Sequence, residues 1–184
     1  NSRSNGRNMN VTVLYGSRYG HARAYAERFA ALAGTEAIDC TEDFSLTNDA
    51  DKVVFFGGFY AGSVRGLKRA FRRVPVSAET IVVTVGLSDV NDAANAEYLK
   101  SSVRRALPRG MQEKTEIFHL RGGLDPEKLS FTHGLLLKML YSAMKNVPAD
   151  KADAVGRAVV ESYGKTVDYT DFSALAPIAE AAGI

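Results

Sequence analysis

A short polar loop between an apolar run and an alanine-rich helical pattern carries the residues best suited to binding an anion. The loop spans residues 16–20, after an apolar run at residues 11–15 and before a helix expected to begin at His21. Unpaired amides at a helix N-terminus carry partial positive charge, and the Ser17 hydroxyl and the Arg18 guanidinium stand beside them. This pattern favours a phosphate site, and its alternative is a tight strand-to-helix connection that binds nothing.

Two further loops follow apolar runs and carry small or aromatic residues. Residues 57–63 place Phe59 and Tyr60 among three glycines, so the backbone can approach a flat ligand closely and a ring face can stack on it. The alternative for Phe59 is a place in the hydrophobic core. Residues 86–91 offer small and polar groups after the next buried run. Both loops are expected to lack hairpins.

The elements that must position these loops alternate along the chain. Apolar runs of strand length lie at residues 11–15, 36–40, 52–57, 80–86 and 115–120. Helical patterns lie at 64–73, 93–106, 129–145, 152–163 and 172–182, with one or two helical turns expected within 44–50. Strands alternating with helices predict an α/β fold, a doubly wound five-stranded parallel sheet of order 2-1-3-4-5 with helices on both faces. Ligands in such sheets bind beyond the carboxyl ends of the strands, where all three loops lie.

Length and composition narrow the classes of protein. The 184 residues contain 23 Lys and Arg and 21 Asp and Glu, and the basic residues are scattered among the acidic ones, which argues against a nucleic-acid partner. One cysteine and three histidines without metal-ligand spacing predict no metal site and favour a reducing cytoplasm. Residues 1–8 are expected to be a disordered arm or a leftover of an expression vector, and residues 9–184 a single domain.

Four segments together resemble the flavodoxin-domain family that contains menaquinone-dependent protoporphyrinogen oxidase. The resemblance covers nearly the whole chain. Its segments are Tyr15-Gly16-Ser17-Arg18-Tyr19-Gly20-His21, Gly58-Phe59-Tyr60-Ala61-Gly62, Val85-Gly86-Leu87-Ser88-Asp89 and Val167-Asp168-Tyr169-Thr170-Asp171-Phe172.

The resemblance implies that the protein binds flavin mononucleotide (FMN) at the three loops. The phosphate would be held by Ser17, Arg18, Tyr19, Gly20, His21 and Ala22. One side of the isoalloxazine ring would be lined by Gly58, Phe59, Tyr60, Ala61 and Gly62. The other side would be lined by Gly86, Leu87, Ser88 and Asp89.

The first loop departs from the pattern of the family it resembles. Flavodoxin phosphate loops carry hydroxyl residues at the first, third and sixth positions, whereas here only Ser17 does, with Tyr19 and Ala22 in the other two places. Arg18, His21 and the helix amides can compensate, because a charged donor bonds a phosphate more strongly than a neutral one. We therefore expect weaker flavin binding than in a typical flavodoxin.

The helical pattern at residues 129–145 interrupts the simple flavodoxin plan. Between residues 135 and 144 only Lys138 and Ser142 are strongly polar, so a broad apolar surface must be covered. The segment is too short to span a bilayer, and core packing, a second copy of the chain, a membrane surface and an apolar substrate all remain open. His133 is interpreted as a surface or hydrogen-bonded residue. Arg121, which leaves the last strand, is the candidate for contacting a substrate carboxylate.

These observations lead to three functional hypotheses. The first is an FMN-dependent oxidoreductase that passes electrons between an apolar donor, such as protoporphyrinogen, and a quinone-like acceptor. The second is a flavodoxin-like electron carrier that docks a redox protein through residues 129–145. The third is a flavodoxin-like domain that has lost flavin binding. No catalytic residue is assigned, and the expected location is cytoplasmic, with contact at the inner face of the membrane left open.

Overall fold

A central parallel sheet organises the chain in the computed structural model, which describes residues 9–47 and 49–184. Five parallel strands have the order β2-β1-β3-β5-β6. This is the predicted 2-1-3-4-5 order, and the predicted α/β fold is confirmed. The strands are β1 (Val11–Gly16), β2 (Ala37–Asp39), β3 (Lys52–Tyr60), β5 (Glu79–Gly86) and β6 (Glu116–Arg121).

Helices cover both faces of this sheet and bury two apolar layers. On one face, Tyr25 and Phe29 of the first helix and Ile178 of the last pack against strand residues such as Phe56. On the other face, buried residues of the second and third helices pack against Phe55. The helices are α1 (His21–Ala33), α2 (Leu67–Phe71), α3 (Ala93–Ala106), α4 (Phe131–Met144), α5 (Ala154–Ser162) and α6 (Ala176–Ala182).

Three local predictions are wrong. The helix expected from residue 64 begins only at Leu67, because β4 (Ser63–Val64) pairs antiparallel with the end of β3. The second loop, expected to lack a hairpin, is therefore the tip of one, with Ala61 at φ 47° and Gly62 at φ 78°. The turns expected within residues 44–50 are not helical at 44–47 or 49–50. There the buried Phe44 lies under the Arg73 guanidinium, so a tertiary contact replaces local helix.

The chain after the last parallel strand forms a small ribbon and then the expected helical insertion. β7 (Gly123–Leu124) pairs antiparallel with β8 (Val167–Asp168), which brings the distant tail against the end of β6. Helix α4 follows and packs mainly on α5, where the Tyr141 and Tyr163 rings stack at 3.9 Å. Within residues 9–47 and 49–184, no helix is long and apolar enough to cross a membrane.

The predicted arm at residues 1–8 lies outside the described residues. The assignment of residues 9–184 to a single domain stays a prediction.

Candidate functional site

The first loop presents the exposed amide end of α1. Gly20 precedes the helix at φ 95°, a left-handed conformation that glycine adopts without strain, and its N–H donates to Ser17 Oγ at 3.1 Å. No side chain caps the helix and its first turn contains no acidic residue. The amides of residues 21–23 have no acceptor within the part of the chain that the structure describes. This end of α1 is therefore available to an anion.

The Tyr19 side chain points toward helix α4, so its hydroxyl is not a hydrogen-bond donor within the first loop. Its hydroxyl lies 2.6 Å from Nδ1 of His133 and accepts the Ser130 N–H at 3.4 Å. The Tyr19 ring meets Tyr60 edge-on at 5.4 Å, and His133 stacks on Tyr60 at 5.8 Å. Three aromatic rings from the first loop, the second loop and α4 thus form one cluster.

The environment keeps Tyr60 and His133 uncharged near neutral pH. Burial, with a smaller contribution from Tyr19, raises the pKa of Tyr60 to about 12. Burial lowers the pKa of His133, and the positive charges of Arg18 and Arg65 lower it further. Neutral His133 can accept a hydrogen bond from the Tyr19 hydroxyl at Nδ1, which fits the short distance between the two atoms.

The second loop places its residues at two different depths. Phe59 and Tyr60 are partly buried at the sheet edge, and Tyr98 meets the Phe59 ring edge-on at 6.0 Å. Gly58 is buried and its carbonyl accepts the Arg65 N–H at 2.9 Å. The hairpin therefore holds Tyr60 against Tyr19 and His133.

The third loop is held by the residue that sequence reasoning assigned to a substrate. Arg121 donates from Nε and Nη2 to the Leu87 carbonyl at 3.2 and 2.9 Å, and its guanidinium lies 3.8 Å above the Tyr169 ring. These contacts tie the loop to the tail of the chain. Contact between Arg121 and a substrate carboxylate stays a prediction.

A fourth loop, which the sequence analysis did not include, completes the edge. Gly122 and Gly123 lie against the His21 ring, whose Nδ1 is 3.2 Å from Thr170 Oγ1 and 3.7 Å from Asp168. Two hydrogen bonds from Thr170 lower the pKa of the Asp168 carboxyl, so it is ionised beside His21. The tail thereby braces the start of α1.

Together the four loops and α4 enclose an apolar cavity of about 180 Å³ at the carboxyl ends of β3, β5 and β6. Seven predicted cofactor residues line it: Tyr19, His21, Phe59, Tyr60, Ala61, Gly86 and Leu87. Helix α4 contributes four side chains: His133, Leu136, Leu137 and Leu140. The lining is mainly hydrocarbon, with few polar groups, as ligand sites in proteins commonly are.

The other predicted cofactor residues lie outside this cavity. Arg18 and Gly62 line a neighbouring groove. Ala22 is buried in the core, and Ser17 and Gly20 shape the first loop. Ser88 and the Asp89 carbonyl bond to Asn95 at the start of α3. Ligand contact at each of these positions stays a prediction.

Sequence reasoning missed Gly122–Asp125 and the α4 residues as cavity lining. The first omission had a signal, because Gly122 and Gly123 follow the last parallel strand and so share the edge of the three chosen loops. The second had a partial signal, because an apolar substrate was one of the covers left open for residues 129–145. The contact between His133 and Tyr19 had none, because it joins positions 114 residues apart. No group of three His, Cys, Asp or Glu side chains within residues 9–47 and 49–184 is placed to hold a metal ion.

Comparison with known proteins shows the family of this chain. A cysteine-to-alanine mutant of flavodoxin from Pseudomonas aeruginosa is similar to the chain at 15% identity, covering 83% of this chain and 99% of that one with a TM-score of 0.34. No curated protein matches the sequence. The model of the flavodoxin domain family matches residues 12–151. The chain belongs to the flavodoxin domain family.

Proposed function

We propose that this protein binds FMN and is an oxidoreductase that passes electrons between an apolar donor and a quinone-like acceptor. Protoporphyrinogen is the most specific candidate donor, through the resemblance of the loop and tail segments to the oxidase family. Membership of the flavodoxin domain family makes FMN the expected cofactor.

One observation carries the proposal: an apolar, aromatic-lined cavity adjoins a helix N-terminus that has no acidic residue in its first turn. A flavin mononucleotide needs both features, because its ring system is flat with apolar faces while its phosphate is charged. Both lie at the edge of the sheet where the strand order reverses, which is where doubly wound proteins bind nucleotides.

The chemistry of the lining residues fits FMN, but the cavity is small for its ring system. The cavity of about 180 Å³ exceeds the roughly 150 Å³ that holds a benzene ring, but it is below the roughly 300–1,000 Å³ usual for larger ligands. Entry of a three-ring system therefore requires side chains at the mouth to move. Tyr60 and Leu87 line the cavity and are only partly buried, so their side chains are candidates for this movement.

The chain would divide the work of binding among its loops. The α1 amides, Ser17 and Arg18 would hold the phosphate, and Tyr60 would cover a ring face. Leu136, Leu137 and Leu140 would exclude water from the cavity. When bound, FMN supplies the capacity to accept and release electrons, which these side chains lack.

A second candidate function is favoured by the exposure of α4. Phe131 and Met139 are 86% and 62% exposed, and no residue of α4 is buried. Patches of this kind mark interaction sites, so an electron carrier that docks a protein through residues 129–145 is the alternative.

The decisive experiment is a titration of the protein with FMN, followed by quenching of flavin fluorescence. We expect saturable binding, and weaker binding of riboflavin, which lacks the phosphate that the first loop would hold. Anaerobic reduction of a soluble quinone by protoporphyrinogen, dependent on the protein and FMN, would then support the oxidoreductase. Binding without turnover would favour the carrier. No binding at millimolar FMN would overturn both and leave a domain that has lost its cofactor.

A further inference from the structure

A basic groove adjoins the cofactor cavity, and the function proposed above uses only Arg18 and Tyr60 of its lining. Its volume is about 750 Å³, and its walls are the hairpin tip of the second loop, α2 and the second half of α3. Tyr60, Ala61 and His133 line both the groove and the cavity. A molecule seated in the groove would therefore be separated from the cavity by single side chains.

The groove concentrates positive charge that the composition of the chain does not reveal. Six cationic side chains line it, and no acidic residue does so within the part of the chain that is described: Arg18, Arg65, Lys68, Arg69, Arg72 and Arg105. The whole chain carries only two more basic than acidic residues. A cleft lined by one sign of charge focuses the electrostatic field and attracts ligands of the opposite sign.

Besides Arg18, which the proposed FMN site uses, half of these cations are available to a partner. Arg69 bonds to Asp43, and Arg105 bonds to Ser101 and Ser102. The side chains of the other four form no hydrogen bond or ion pair with any residue in 9–47 or 49–184. All six residues are exposed. Their charged ends can therefore reach an incoming anion with little desolvation of existing pairs.

The kind of anion follows from the surroundings of the groove. A guanidinium pairs with carboxylates and with phosphates through two parallel hydrogen bonds, and five of the six cations are arginines. His133 connects the groove to α4, whose Phe131, Leu135 and Met139 are exposed. Apolar residues beside charged ones are typical of protein interfaces. His133 is stacked on one face of the Tyr60 ring, which leaves only the other face for a nucleic-acid base.

We propose that this groove is the docking site for an acidic segment of a protein redox partner. The charges decide that the segment is acidic. That the partner carries electrons rests on the proposed binding of FMN, because the groove and the cofactor cavity share Tyr60 and His133.

The test uses a fluorescein-labelled decapeptide of alternating Glu and Gly as the probe, and the same peptide with Gln as its uncharged control. Fluorescence anisotropy is measured at about 50 and about 200 mM salt, since exposed charge pairs are screened over that range. The variant Arg65→Glu/Arg72→Glu reverses two groove charges. The matched control, Arg28→Glu/Arg109→Glu, makes the same change of net charge at exposed positions outside the groove.

We expect the wild-type protein to bind the Glu peptide, more weakly at high salt, and not to bind the Gln peptide. The groove variant should raise the dissociation constant by about tenfold or more, and the control variant by less than about threefold. A milder variant, Arg65→Gln/Arg72→Gln, should lie in between, and circular dichroism verifies that each variant is folded.

Equal losses in the groove and control variants, or no binding of the Glu peptide, would overturn the docking site. Tighter binding of single-stranded DNA or of phosphatidylglycerol vesicles than of the peptide would also overturn it, in favour of a nucleic acid or a membrane. FMN titrations of the same proteins separate the two proposals: peptide binding without FMN binding would leave the groove standing and reject the flavin function.

Discussion

At the scale of single residues, Tyr19 decides how the first loop can hold an anion. The family pattern predicts a hydroxyl donor at this position, and Tyr19 has one, but that hydroxyl lies 2.6 Å from His133 on α4. The loop is left with backbone amides, Ser17 and Arg18 as donors. In the proposed FMN complex the loop would thus bind the phosphate more weakly, while the Tyr19 hydroxyl holds α4 to the cavity.

Replacing Tyr19 tests this account directly. Tyr19→Thr places a small hydroxyl in the loop, while Tyr19→Val has nearly the same shape without the hydroxyl. A hydrogen bond to a charged group contributes about 1.5 kcal/mol, so FMN should bind about tenfold more tightly to the Thr variant than to the Val variant. Fluorescence titration measures both dissociation constants. Equal constants would show that residue 19 does not face the phosphate.

At the scale of elements, the tail of the chain completes the cavity edge by packing on the start of α1. The β7–β8 ribbon lies against His21, and the Asp171 N–H donates to the Tyr25 hydroxyl at 2.8 Å. Gly123 makes the close approach possible. A Cβ there would contact the Val167 carbonyl and lie 2.6 Å from Cε1 of His21.

A pair of glycine substitutions separates this packing from ordinary backbone effects. Gly123→Ala should lower the free energy of unfolding by about 2 kcal/mol, because the ribbon must move away from α1, and it should weaken FMN binding. Gly134→Ala in α4 meets nothing within 4 Å and should raise stability by up to about 1 kcal/mol, since alanine favours helix. Guanidinium unfolding measures both changes. Destabilisation by Gly134→Ala equal to that by Gly123→Ala would contradict the tight contact.

At the scale of the whole molecule, a partly buried histidine links stability to pH. His119 of β6 lies 2.7 Å from Thr84 Oγ1, and burial lowers its pKa from 6.5 to about 4. Between those values the unfolded chain binds a proton that the folded chain does not. The contribution of His119 to the free energy of unfolding is therefore complete above about pH 7 and falls as the pH drops toward 4.

Substitution of His119 should remove much of this dependence. His119→Gln keeps a polar group near Thr84 but cannot titrate, so its loss of stability between pH 7 and 4 should be smaller by about 2 kcal/mol than that of the wild type. Guanidinium midpoints measured across this range provide the check. The remaining slope belongs in part to His133, whose pKa is lowered in the same sense. Identical slopes in the two proteins would refute the assignment to His119.

The sequence by itself determined the sheet order and three of the four loops at the cavity edge. Apolar runs such as Val53 to Phe56 identify buried parallel strands from neighbours in the chain, and the carboxyl ends of such strands must share one edge. Only the tertiary structure decided the hairpin at Ala61, the contact between Tyr19 and His133, and the tail against His21. It also gathered scattered arginines such as Arg18 and Arg105 into one groove. The physical reason is range: strand and helix patterns are local in sequence, whereas these contacts join residues that come together only when the chain folds.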